Sequence, residues 1–144
     1  MNISYKNISR LISEMDLIRD HMEDKIISFP EYKGDEWKER MNWAANMAHD
    51  LRNELDIQYT KEIIQFLELN EREISILESH LPSINGKLAL SSNYSNFMDD
   101  LEGAYSFVMD DLSDEYLIND SIILGNIINK IKVYDKAGKM DQFK

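Results

Sequence analysis

The chain has 144 residues, no cysteine and a net charge of −11 at pH 7. The missing thiols exclude a disulfide scaffold, thiol catalysis and thiolate zinc sites. The negative balance argues against direct binding to nucleic acid, which needs a basic stripe to release counterions, and against adhesion to an anionic membrane.

An apolar fraction of 43% with only 5 Gly and 2 Pro fits one helical domain with few linkers. The opening residues lack the continuous apolar run and small-residue cleavage site of a secretory signal. No stretch approaches the roughly 20 apolar residues of a membrane span. A cytoplasmic location is the expectation.

The first element is a helix from about Ser4 to Ile27. Ile8, Met15 and Met22 recur every seven residues, with Leu11 and Ile18 between them. Pro30 and Gly34 break it. Asp35 can cap the next helix, with Glu36 in its first turn. There Trp37, Met41, Ala44, Ala48, Leu51 and Leu55 alternate by four and three, and the small Ala44, Ala45 and Ala48 point to a close helix–helix approach.

A third stripe runs Ile63, Leu67, Asn70, Ile74, Leu77, Leu81, flanked by Phe66, Leu69 and Ile76. Two apolar sides mark a deeply buried helix. Asn70 with Glu73 fits a capping box that would split it, but the stripe stays in register across Asn70, so one kinked helix is the preferred reading.

Pro82 and Asn85-Gly86 mark a loop reaching about Ser92. A fourth helix carries Tyr94, Phe97/Met98, Leu101, Tyr105, Val108 and Leu112 on one face. Ser113 can cap a fifth, with Asp114 and Glu115 in its first turn and Leu117/Ile118, Ile122, Gly125, Ile128 and Ile131 as its stripe. From Tyr134 the periodicity stops. The fold class expected is all-α: a single-domain bundle of about five mostly antiparallel helices over residues 1–133, with a flexible tail over 134–144.

Charge is the sharpest local signal. From Leu88 to Asn129 there is no Lys or Arg but eight carboxylates: Asp99, Asp100, Glu102, Asp110, Asp111, Asp114, Glu115 and Asp120. Like charges packed this closely repel one another and lower stability. A basic partner is the simplest reason to retain them. Phe107 lies roughly opposite the Leu101/Tyr105/Val108 stripe, on a side shared with Gly103, Asp110, Asp111 and Asp114. An exposed aromatic ring in an acidic face suits a hot spot for a cationic protein.

Catalytic patterns are sparse. His21, His49-Asp50 and a later Asp such as Asp99 or Asp110 resemble the His, His-Asp, Asp order of the metal-dependent phosphohydrolases of the HD superfamily. That resemblance implies a helical fold and a metal held by those residues. Arg52 beside His49 would oppose a cation. Glu36 and Glu39 resemble the first half of the magnesium site of MazG-like pyrophosphohydrolases, but the second Glu-x-x-Asp is missing. No Glu-x-x-His pair supports a di-iron site, and residues 110–115 lack the glycine and alternating oxygens of an EF-hand. No phosphate-binding glycine loop or Gly-x-Ser-x-Gly occurs.

No catalytic residue, metal or cofactor is therefore assigned. The expected site is a partner-binding one: Asp99, Asp100, Glu102, Phe107, Asp110, Asp111, Asp114 and Glu115. A small, helical, acidic, cysteine-free chain is similar in profile to bacterial immunity proteins. That likeness implies inhibition of a basic, nuclease-like toxin in the cytoplasm. Two other readings are a phage nucleic-acid mimic blocking a DNA-binding enzyme and the phosphohydrolase built on His21, His49 and Asp50. A plain oligomerisation module is a further one, since heptad-like stripes also form intermolecular bundles.

Overall fold

The structure is a computed structural model that describes residues 4–28 and 35–144, with side chains described from 4–24 and 35–144. It is all-α: five helices and one short strand pair among the described residues. The helices are α1 (Tyr5–Ser28), α2 (Asp35–Leu67), α3 (Glu71–His80), α4 (Tyr94–Asp110) and α5 (Glu115–Lys136). The strands β1 (Ser83–Ile84) and β2 (Lys87–Leu88) lie between α3 and α4, and a 3-10 turn spans Asp141–Phe143. Pro30 and Gly34, read as breakers, lie outside the described residues. No described helix is long and apolar enough to cross a membrane.

The chain divides into two compact units, 1–55 and 56–144. In the first, Ile8 and Ile12 of α1 pack with Leu51 of α2, and Leu11, Met15 and Leu55 lie against that cluster. Arg52 Nη2 of α2 contacts Asp16 Oδ2 of α1 at 2.7 Å. Ala44 and Ala48 are fully buried. Ile18, expected in the α1 stripe, is exposed beside Leu17.

The partition of helices differs from the expectation. Residues 56–62 hold no Gly or Pro, so α2 runs unbroken to Leu67 and the division between units falls inside it. The expected continuous helix across Asn70 is broken instead. Glu68 takes a left-handed φ of 54°. Its N–H donates to Gln65 O, and the Leu69 N–H donates to Ile64 O, the bond pair of a Schellman helix end. Asn70 then caps α3: its side chain accepts the Glu73 N–H at 2.8 Å, and Glu73 Oε1 accepts the Asn70 N–H at 3.1 Å. Two local caps outweigh the register of the apolar stripe.

The second unit holds the larger core. Tyr59, Ile63, Leu67, Leu77, Leu90, Phe97, Leu101, Leu124, Ile127 and Ile131 are all buried. Asn85 (φ 52°) and Gly86 (φ 75°) form the two-residue turn of the antiparallel strand pair, Ser83 facing Leu88 and Ile84 facing Lys87.

The segment expected as a loose tail is packed. α5 continues to Lys136, Met140 is fully buried and Phe143 nearly so. Tyr59 Oη donates to Phe143 O at 2.8 Å. The 134–144 stretch looked aperiodic because it enters the core through two single side chains on a tight turn rather than along a helical stripe.

Candidate functional site

The site is built where α4 ends and α5 begins. Asn93 caps α4 by accepting the Asn96 N–H at 3.1 Å. Phe97, Leu101 and Val108 then turn inward. Tyr105 fits over Gly125 of α5: a Cβ added at Gly125 would lie 3.3 Å from the Tyr105 ring. This close approach positions the two helices through a residue with no side chain.

α4 has no basic residue in its last turn. Its C-terminal end carries Asp110 and Asp111 instead, where the helix dipole already presents negative charge. Ser113 Oγ donates to Asp111 Oδ1 at 2.7 Å. The cap of α5 is Asp114, not the expected Ser113; its carboxylate accepts the Tyr116 N–H at 2.9 Å. Glu115 follows in the first turn, where negative charge is favourable. Asp114 and Glu115 thus serve α5, whereas Asp110 and Asp111 work against α4.

The eight carboxylates fall into two sets. Asp100, Glu102 and Asp120 are engaged internally. Asp100 Oδ2 accepts the Ser91 N–H at 3.3 Å, Lys132 Nζ lies 3.3 Å from Glu102 Oε1, and His80 Nε2 lies 2.7 Å from Asp120 Oδ2. Asp99, Asp110, Asp111, Asp114 and Glu115 are exposed, and among the described residues none forms an ion pair. Asp99 stands eleven residues before Asp110, about 16 Å along the helix. The four remaining acids gather at the α4–α5 corner.

Exposed rings flank them. Phe107 is 79% exposed and sits one turn before Asp110 and Asp111; Tyr116 is 78% exposed just beyond Glu115. Met109 is partly exposed. Leu112 and Ile118, both expected inside, are exposed as well. Leu112 lies beyond the last turn of α4, where the helical repeat no longer aims it inward. The corner therefore combines apolar surface with carboxylates.

His80–Asp120 was not legible in the sequence. Forty residues separate the pair, and no local spacing announces it. It ties α3 to α5 at half-buried positions.

His21, His49 and Asp50 are exposed. Among the described residues no group of three or more His, Asp or Glu side chains is placed to hold a metal ion. No family model, curated protein or solved structure matches the chain. The fold and the corner thus define a class, an all-α protein with an acidic aromatic corner, and no family beyond it.

Proposed function

We propose that this chain is an acidic protein-binding inhibitor that neutralises a basic partner enzyme, in the manner of an immunity protein blocking a cognate nuclease-like toxin in the cytoplasm. One observation carries the reading. Asp110 and Asp111 lie exposed at a helix C-terminus, without a cation, beside Phe107. That placement opposes the helix dipole and so does not serve the fold. A protein whose active site attracts phosphate is positively charged there, and a carboxylate corner would be steered onto it and occlude it. The two exposed rings supply the apolar and cation–π contacts that steering alone lacks.

The test pairs capture with kinetics. Basic proteins retained from host lysate at low salt are identified, and association rates are then measured for the purified partner. Asp110→Lys with Asp111→Lys should slow association at least about tenfold at low ionic strength, and raising salt should slow the parent chain likewise. Phe107→Ala should speed dissociation. Association indifferent to the double reversal and to salt would overturn the proposal. Asp114 is left in place because it caps α5.

A further inference from the structure

The side of α5 turned away from the core is not an ordinary charged solvent face. Leu124, Ile127, Ile128 and Ile131 define the inward side. Opposite them, at spacings of three and four, stand Ile118, Ile122, Asn126, Asn129 and Val133, all exposed. Ile122 is 56% exposed and Val133 63%. Glu115 closes this seam at the N-terminal end of the helix and Lys136 at the other. Neither forms an ion pair among the described residues.

We infer that this seam is a self-complementary surface on which a second copy of the chain docks, the two α5 helices antiparallel across a two-fold axis. The charge order selects that arrangement. A parallel pairing sets Glu115 against Glu115 and Lys136 against Lys136. An antiparallel pairing sets each Glu115 against Lys136 of the other copy, and the two-fold repeats the contact. The same register places Ile118 against Val133 and Ile122 against Asn129. Asn126 then falls beside its own symmetry mate, where two amides can exchange hydrogen bonds. A polar residue within an apolar helix seam is a register device.

The seam spans 22 residues, about 32 Å of helix. A single helix pair buries an area at the low end of specific interfaces, so the expected dissociation constant is on the order of 10–100 μM. Each copy carries net charge −11, and that long-range repulsion is screened by salt. Self-association should tighten as ionic strength rises, opposite to capture of a basic partner. The seam shares Glu115 and Ile118 with the acidic corner but not Phe107, Asp110 or Asp111, on which the inhibitor reading rests, and the opposite salt dependences separate the two.

Sedimentation equilibrium of the full chain, run across that concentration range, tests it. A monomer–dimer equilibrium is expected. Ile122→Lys should raise the dissociation constant about tenfold or more. Glu115→Lys and Lys136→Glu should each weaken the dimer, and the two together should restore it, because the swapped charges again face their opposites. The chain has no cysteine, so Asn126→Cys provides a unique thiol that should cross-link two copies under mild oxidation. Ser106→Cys, exposed on α4, should not. A chain monomeric throughout overturns the inference. So does a dimer that Asn126→Cys fails to cross-link or that the double charge swap fails to restore.

Discussion

At the N-terminal end of α5, four carboxylates and two aromatic rings meet solvent; at its C-terminal end, charges and rings are drawn into contacts. There Lys144 Nζ lies 2.6 Å from Asp135 Oδ1 and 3.4 Å from Asp141 Oδ1. The Phe143 ring packs edge-on against Tyr59 and Phe66, with centroids 6.1 and 5.5 Å apart. Gly138 (φ 75°) takes the left-handed position that ends the helix. Here charge, aromatic surface and backbone all serve the fold. At the other end Asp114 and Glu115 serve the start of α5, while Asp110 and Asp111 oppose the helix they terminate. Residues that a fold does not use are where an interaction is to be sought.

The comparison breaks most visibly at Phe143. Truncation to Ala removes a nearly buried ring and should cost about 3 kcal/mol or more, read as a lower urea midpoint. Truncation of the equally aromatic but exposed Phe107 should change stability by no more than about 0.5 kcal/mol. Asp114→Ala removes the α5 cap and should cost about 1 kcal/mol, while Asp114→Asn, which keeps a capping oxygen, should cost little. Asp110→Asn with Asp111→Asn should go the other way. Neutralising two acids at a helix C-terminus should stabilise the chain by about 0.3–1 kcal/mol each at low salt, even as it weakens partner binding. Stability unchanged or lowered by that pair would mean the corner carboxylates do serve the fold.

The smallest effect is alkaline. Burial raises the Tyr94 phenol above its ordinary value, and the Asp135 carboxylate adds to the shift. The hydrogen bond to Asp135 raises Lys144 as well. An unfolded tyrosine ionises near pH 10, before the folded one does. The folded chain then holds more protons than the unfolded chain, so stability falls as pH rises past that point. Urea midpoints should be level up to about pH 9 and decline from about pH 10 upward.

Much of this could be read in advance. A loop around Pro82 and Asn85-Gly86, a helix soon after Ser92, and the inward Phe97, Leu101 and Val108 follow from breakers and period; the short strand pair inside that loop does not. The outward aim of Phe107 follows from its angle to that stripe. At the start of α5 two capping residues stand side by side. Ser113 and Asp114 both qualify by type, and backbone geometry chose Asp114. At Asn70 the cap and the stripe disagreed, and the cap prevailed. Steps of three and four through Gly125 link Ile118 and Ile122 to Ile128 and Ile131, but successive steps of three drift around α5. Only the packing of Leu124 and Ile127 fixed which side is core.

The order of apolar residues and breakers by itself determined that this chain is helical and where most helices begin. Composition determined that it carries excess negative charge, concentrated between Leu88 and Asn129. The tertiary structure decided which of those charges remain free. Asp120 meets His80 and Glu102 meets Lys132 across 40 and 30 residues of chain, and Met140 and Phe143 enter the core without any periodic signal. Period and propensity act over one or two helical turns. Neutralising a charge or burying a lone side chain depends on which distant segment folds against it.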